Sequence, residues 1–354
     1  MKMPITDKNI AKHLIEFYSL SGRLLPWRED KDPYKVHGSE TMLQQTRVET
    51  VIPYFKRFLS HFPTLYSLAE AKEEEVLKLW EGLGYYSRAK NLQKAAKMIV
   101  FDYQGKYPDS LEGLLSLPGV GEYTAKAILT FCFDLPFVPI DGNFLRLFSR
   151  LTGYKENVLV RKAKKEAEEF FLSLLGQESP SLFGQAAMEL GELICLPNAT
   201  PKCEGCPLSD SCYAYNHEQT SSLPVRLVPN KKKEERKTAL VYGYKGEYGY
   251  LKRPSSGLLA NLYGFPLLEG HLSKARLMEK MLEEGIQVSR IIPLTGYIHS
   301  FSHVKWDMKA FLLELIEKPK AIQEKEELIF LSLEKRRDAF PLPSAFLPLE
   351  KQLR

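Results

Sequence analysis

The chain has 354 residues, 44% of them hydrophobic and 26% charged, enough for two or three domains with ordinary globular cores. It contains no run of eighteen apolar residues, which excludes a hydrophobic membrane-spanning helix, and its formal net charge of +5 permits a nucleic-acid partner without demanding one. The first residues, MKMPITDKNIAKHLIEFY, lack an apolar signal core and a small-residue cleavage site, so the expected compartment is the cytoplasm.

Residues 8–20 place Ile10, Leu14, Ile15, Phe17 and Tyr18 on one face of a helix, and residues 73–80 do the same with Val76, Leu77, Leu79 and Trp80. Short Gly- and Pro-containing breaks separate such segments, at Phe62-Pro63, residues 82–84, Tyr107-Pro108 and residues 118–121. Short helices alternating with tight turns predict a compact many-helix domain over residues 1–216. Within it, Leu117-Pro118-Gly119-Val120-Gly121 separates helical patterns at 110–116 and 122–131. Glycines there permit positive φ and close approach, and the second helix begins with free N–H groups that favour a phosphate. Leu117, Gly119, Val120 and Gly121 are thus candidates for holding DNA backbone without reading sequence. Taken alone, the segment is equally an ordinary helix–helix turn.

Cys195, Cys203, Cys206 and Cys212 fall within eighteen residues, separated by seven, two and five. A reducing compartment disfavours disulfides, so the cluster reads as metal binding. Four thiolates in so compact a run suit a 4Fe–4S cluster, with zinc as the alternative. Lys202 beside them is a possible phosphate contact. Cys132, alone in LTFCF, reads as a buried, inert thiol.

Residues 217–236 are polar, contain Pro and end in a charge run, which predicts a linker. Beyond it the period changes. Residues 238–244 and 248–253 predict a hairpin around Lys245-Gly246-Glu247, residues 273–284 a helix, and 291–300 and 304–315 two further strands. Residues 237–354 therefore form an α+β domain.

The segment LPGVG, followed about twenty residues later by Val138-Pro139-Ile140-Asp141-Gly142-Asn143, resembles the helix-hairpin-helix glycosylase superfamily. Further matches run from Leu25-Pro26-Trp27-Arg28 to the last strand and narrow the resemblance to the MutY-type adenine glycosylases. The fold this implies is multi-domain: an all-α helix-hairpin-helix glycosylase domain with an Fe–S cluster loop, plus an α+β Nudix-like C-terminal domain.

The resemblance implies base excision repair of adenine mispaired with 8-oxoguanine or guanine in duplex DNA. Ser39-Glu40-Thr41-Met42-Leu43-Gln44-Gln45-Thr46 is similar to the family's SEVMLQQT segment, whose Glu is catalytic. Glu40 would protonate adenine at N7, which calls for a pKa raised by an apolar pocket. Asp141, kept ionised, would stabilise the oxocarbenium-like sugar or trap it covalently. Asn143 would position water or hold Asp141, and Tyr123 would hydrogen-bond Asp141. Leu25, Trp27 and Arg28 match the adenine pocket. Gln45 and Tyr85 match the wedge that fills the gap left by the flipped base.

Endonuclease III-type relatives have a Lys two residues after the hairpin that cleaves the strand. Here that position is Tyr123, which forms no Schiff base, and Lys126 lies nearly a helical turn away. Base removal without efficient lyase activity is therefore expected.

In the C-terminal domain, GLLANLYGFP resembles GLLAGMWEFP of the family, with Tyr263 in place of a tryptophan. Phe301-Ser302-His303 resembles the loop that contacts 8-oxoguanine, with Ser302 reading the lesion. Glu279, Glu283 and Glu284 lack the Gly and Arg context of a Mg²⁺-binding Nudix box, which disfavours nucleotide hydrolysis. Family members usually separate their cysteines by six, two and five residues, so the first loop here is one residue longer. His37, Gly38 and Thr41 also depart from the pattern and flank Glu40. A non-catalytic mismatch-binding protein is the reading from another class, and retention of both Glu40 and Asp141 disfavours it. The expected partner is double-stranded DNA, bound by a monomer at the nucleoid, with no membrane association.

Overall fold

A computed structural model describes residues 9–227, 232–254, 257–319 and 328–353. They fall into two compact units, one comprising Met1–Ala71 and Lys90–Pro229, the other Lys72–Ala89 and Asn230–Arg354.

The first unit is helical. Its central helix, Gly142–Thr152, buries Phe144, Leu145, Leu147, Phe148 and Leu151 among side chains of Ile10–Ser21, Arg161–Leu175 and Pro180–Leu193. Phe144 meets Phe171 edge-to-face with centroids 4.9 Å apart. Each such buried Phe or Leu contributes about 1.5–3 kcal/mol of transfer free energy. The helix starts at Asp141, which caps it, and stops at Gly153 with φ +72. The hairpin joins Leu111–Leu115 to Glu122–Phe133. Ser110 caps the first of these, Leu117 and Val120 are buried, and Val120 N–H closes the turn on Leu117 O at 3.1 Å. Gly119 has φ +78, and a Cβ there would lie 2.6 Å from Asn91 Cβ. No other residue type fits that position without displacement.

The second unit is built on a sheet: β1 (Lys233–Tyr244), β2 (Glu247–Lys252), β3 (Tyr263–Gly264), β4 (Leu267–Glu269), β5 (Val288–Ser300), β6 (Val304–Leu315) and β7 (Leu328–Leu331). Among the described residues the order is β3-β2-β1-β6-β5, with β4 pairing β1 and β7 pairing β2. The β1–β6 pair is parallel and the others are antiparallel. Both faces are covered, so β1 reads as an apolar run rather than an alternation. Ala239 and Val241 face a core with Tyr250, Trp306, Phe346 and Leu349. Leu240 and Tyr242 face a second core with Leu277 and Met281 of the helix Lys274–Glu283. The β1–β2 hairpin turns on Lys245 and Gly246, both at positive φ, as a two-residue hairpin loop requires.

Two features depart from the sequence expectation. Strand β1 begins at Lys233, inside the stretch 217–236 read as a linker. The charge run is accommodated because Lys233 and Lys237 pair with Glu235, and Glu234 pairs with Lys305 of β6. At the other end of that stretch, Leu223 is buried, its carbonyl accepts from Arg150, and Val225 O accepts from Val158 N–H at 3.0 Å. Residues 228–231 of the stretch lie outside the described residues. The second departure is that Lys72–Ala89, far from the C-terminal region in sequence, belongs to the second unit. There Glu81 accepts from Arg336 Nη1 at 3.2 Å and from Leu342 N–H at 2.9 Å.

Candidate active site

A cleft of about 1520 Å³ in the helical unit gathers Leu25, Trp27, Arg28, Glu40, Gln45, Tyr123, Asp141 and Asn143. These eight residues come from five separate stretches of chain.

Glu40 sits on the helix Pro33–Leu43, which Asp32 caps through Tyr34 N–H and Pro33 opens at its first position. The side chain is 6% exposed. Burial pushes its pKa up to about 7, against the Tyr123 phenol that donates to Oε2 at 2.8 Å, with Asp141 reinforcing the rise and Arg28 opposing it. A carboxyl so placed keeps its proton near neutral pH, as a general acid must. Tyr123 therefore serves Glu40 and not, as expected from sequence, Asp141. The hydroxyl reaches the acid from the second turn-forming helix of the hairpin, one residue inside its N-terminus.

Asp141 is differently held. Its Oδ1 accepts from Asn143 N–H at 2.8 Å and Phe144 N–H at 2.9 Å, and its Oδ2 from Asn143 Nδ2 at 2.9 Å. Burial raises its pKa above the ordinary value, while these donors and Arg146 pull it back and Glu192 raises it. The fixed backbone donors and the helix N-terminus, which Glu40 lacks, offset part of that rise. Asn143 holds Asp141, one of the two roles expected of it.

Behind Asn143 stands Arg146, 3% exposed. It donates to Asn143 Oδ1 at 2.6 Å, to Gly191 O at 2.8 Å and to Cys195 O at 2.6 Å. Gly191 leaves room for this arrangement, since a Cβ there would lie 2.7 Å from Asn143 Cβ. One turn on, Arg150 donates to Leu196 O and approaches Cys195 Sγ, both at 3.1 Å. Sequence reasoning missed both arginines. The available signal was two charges four residues apart in an otherwise apolar helix. It also missed Glu189, fully buried, which accepts from Arg23 Nε and from Arg28 Nη1, the latter at 2.8 Å. Burial would raise Glu189, yet the two arginines hold its carboxyl below the ordinary value and so aim Arg28 along the cleft. Gln185, also on the cleft wall, accepts from Tyr18 OH at 2.8 Å.

Of the departures beside Glu40, His37 is buried against Tyr107, with Nδ1 3.2 Å from the phenol oxygen, and burial lowers its pKa to about 4. It is a neutral packing residue. Thr41 is buried too, and a Cβ at Gly38 would make only ordinary contact with Phe55. Lys126, one turn beyond Glu122, is tied to Glu122 at 2.8 Å and Glu168 at 2.6 Å. Burial lowers its pKa, but the two carboxylates outweigh this and hold it above the ordinary lysine value. Burial pushes the Cys132 thiol up to about 12, in keeping with an inert side chain.

Cys195, Cys203, Cys206 and Cys212 are free thiols that line one small pocket, walled by Leu147, Leu151, Leu190, Ile194 and Leu208. Among the described residues, no three His, Cys, Asp or Glu side chains close around a position for a single metal ion. Four thiols, an apolar wall and the neighbouring Arg150 guanidinium suit an anionic cluster better than one zinc ion.

The remaining predicted site residues are not among those lining this cleft. The hairpin residues Leu117, Gly119, Val120 and Gly121 form the turn described above. Tyr85, Phe301, Ser302 and His303 belong to the second unit. There Phe301 packs edge-to-face on Trp306 at 4.8 Å, and its N–H closes the β5–β6 loop on Val304 O at 2.8 Å. Ser302 and His303 are exposed at the loop tip. Tyr85, at φ +50, bonds Ser302 Oγ through its hydroxyl at 2.7 Å. Gln45 is likewise exposed and at positive φ, +58. Left-handed backbone at a non-glycine residue is uncommon and concentrates at ligand-contacting positions.

A helix-hairpin-helix turn followed by a helix capped with a carboxylate that lines a deep cleft defines a class. Residues 39–175 match the family described as HhH-GPD superfamily base excision DNA repair protein, and residues 238–352 match the NUDIX domain family. The fold of the helical unit is shared with a solved thermostable thymine-DNA glycosylase, with a TM-score of 0.54 and 27% identity over 59% of this chain and 96% of that one. The adenine DNA glycosylase of Buchnera aphidicola subsp. Schizaphis graminum is 34% identical over 304 residues, covering 85% of this chain and 86% of its own. That of Mus musculus is 34% identical over 365 residues, covering 87% and 71%. The chain belongs to the adenine DNA glycosylase family.

Proposed function

We propose that the protein excises adenine paired with 8-oxoguanine, or with guanine, from duplex DNA and leaves the strand uncut. The observation that carries this reading is the contrast between two carboxyls on one cleft: Glu40 buried and held near pKa 7, Asp141 fixed by three hydrogen bonds at a helix N-terminus. Glu40 gives its proton to N7 of the flipped adenine. The C1′–N9 bond then breaks with its electron pair going to adenine, and the Asp141 carboxylate stabilises the cationic sugar until water adds at C1′. Asn143, pinned by Arg146, keeps Asp141 in place. Leu25, Trp27 and Arg28 form the pocket wall that receives the base. Tyr123 stands where the strand-cleaving relatives have their Schiff-base lysine and bonds the acid instead, and Lys126 is held as an ammonium between two carboxylates.

The hairpin residues hold the phosphate backbone through the N-terminus of the helix Glu122–Phe133. Gln45 and Tyr85 fill and probe the opened duplex, and Ser302, with Phe301 and His303 shaping its loop, reads the 8-oxoguanine. The four cysteines hold a 4Fe–4S cluster that orders the loop following the helix Pro180–Leu193. Such a cluster contributes electrostatics and local order rather than chemistry on the sugar. Iron and inorganic sulfide in the purified protein support this assignment, and stoichiometric zinc overturns it.

The test of function is a duplex with one adenine opposite 8-oxoguanine, incubated with the protein and developed with and without alkali. Breaks at the adenine position only after alkali are expected, and Asp141→Asn abolishes them. Breaks without alkali would assign lyase chemistry, and no abasic site with protein in excess would assign a binding protein.

A further inference from the structure

We propose that Glu81 and Arg336 are positioning residues for lesion discrimination: together they set the Tyr85 hydroxyl against Ser302. This rests on the reading of Ser302 as the group that meets 8-oxoguanine.

Tyr85 is an unusual partner for a specific contact. It is 44% exposed and stands on left-handed backbone in the turn Gly82-Leu83-Gly84-Tyr85, so its own packing does not fix it. The turn is held from its two ends. On one side Trp80, fully buried, donates from Nε1 to Gly84 O at 3.1 Å. On the other, Arg88 donates from Nη2 to Leu83 O and Gly84 O, each at 3.2 Å, with its guanidinium over the Trp80 and Tyr85 rings. These contacts give the turn its shape but not its place.

Its place comes from Glu81. One carboxylate oxygen accepts from Arg336 Nη1 at 3.2 Å and from Leu342 N–H at 2.9 Å, and the other accepts from Lys78 Nζ at 2.6 Å. Arg336 is 2% exposed and also donates to Glu350. A buried guanidinium between two carboxylates tolerates little displacement, because separation leaves a desolvated charge. Leu342 and the neighbouring Phe346 and Leu349 are core residues beside Trp306, on which Phe301 packs. The contacts therefore close a ring. From Ser302 it runs through Phe301 and Trp306 into the core, out through Leu342 and Arg336 to Glu81, and back along the turn to Tyr85. Breaking the ring at Glu81 frees the Tyr85 side of the Tyr85–Ser302 bond while leaving both of its partners in the chain.

The experiment compares single-turnover adenine release from duplexes with adenine opposite 8-oxoguanine and opposite guanine. Glu81→Ala is expected to lower the ratio of the two rates on the order of fivefold, through the 8-oxoguanine duplex, with the guanine duplex changed less than about twofold. Glu81→Gln, which keeps one oxygen to accept from Arg336 and Leu342 while losing the charge and the acceptor for Lys78, is expected to retain most of the ratio. Adding Tyr85→Phe to Glu81→Ala lowers the ratio no further, since both act on one contact. An unchanged ratio in Glu81→Ala, or an equal fall on both duplexes, overturns the proposal and leaves Glu81 a stability residue. Should Glu81→Ala not fold, the pair Arg336→Lys and Tyr85→Phe is read in the same way. A wild-type protein with no preference for the 8-oxoguanine duplex overturns instead the reading of Ser302, a different result from an unresponsive ratio.

Discussion

The Tyr123–Glu40 hydrogen bond makes a prediction whose sign is fixed by geometry. The phenol donates to Glu40 Oε2 at 2.8 Å. A hydrogen bond to a charged acceptor is worth about 1.5–3 kcal/mol, and one to a neutral acceptor about 1 kcal/mol. The difference, about 1–2 kcal/mol, favours the ionised carboxylate, and one pKa unit corresponds to about 1.36 kcal/mol. Removing the donor in Tyr123→Phe therefore raises Glu40 by about one unit above its value of about 7. Glu40 works protonated, so excision falls as pH rises through its pKa, and in the variant that basic limb moves upward by about one pH unit. The assay is single-turnover adenine release between about pH 5.5 and 9, the range over which such a limb is visible. The absolute rate is free to fall, because the phenol also shapes the site; the position of the limb is what is read. A limb that stays in place, or moves to lower pH, refutes the argument that the phenol opposes protonation of Glu40.

Two further outcomes follow from the same geometry. Glu40 has a folded pKa near 7 against an ordinary 4.5, so the folded chain binds more protons than the unfolded chain between those values, and stability is lost as pH rises through that window. Glu40→Gln should then stabilise the protein by up to about 3 kcal/mol at pH 8, and by far less at pH 5, in urea denaturation; equal gains at both would mean that ionisation is not the cause. Gly119→Ala forces a Cβ to 2.6 Å from Asn91 Cβ at φ +78 and should destabilise the hairpin by about 1–3 kcal/mol. Its duplex binding should weaken uniformly across sequences, and a wild-type affinity would remove the hairpin from the DNA interface.

Much of this was legible before the structure because the chemistry is written in short, contiguous segments. The helical period changes to strand character near residue 237, and the strand expected at 304–315 is β6 to the residue. Asp141 is marked by the resemblance of Val138-Pro139-Ile140-Asp141-Gly142-Asn143 to the glycosylase superfamily, and the structure makes it a helix cap. What sequence could not reveal was pairing across distance. Tyr123 reaches Glu40, 83 residues away, rather than Asp141, because the helix after the hairpin presents its first turn to Pro33–Leu43. Arg146 and Arg150 carry no such mark, and their shared partner Cys195 lies 49 and 45 residues later in the chain. The segment Lys72–Ala89 gave no sign of its allegiance, since Glu81 finds Arg336 and Leu342 more than 250 residues later. The charge run at the start of β1 misled because polarity alone does not distinguish a linker from a strand whose charges pair with a neighbour.

The cap at Asp141 has a consequence for how reactivity and architecture coexist. Both backbone N–H groups of the helix terminus go to Oδ1, while Oδ2 has only the Asn143 amide. One oxygen is thus committed to starting a core helix, and the other is left to meet a cationic carbon. If a sugar bonded to Oδ2, the carbonyl oxygen Oδ1 would keep the helix terminus closed, so an ester could form and hydrolyse without fraying the hydrophobic centre of the unit. The same asymmetry means that an amide at this position can keep the architecture and lose the charge, which separates an inactive enzyme from an unfolded one.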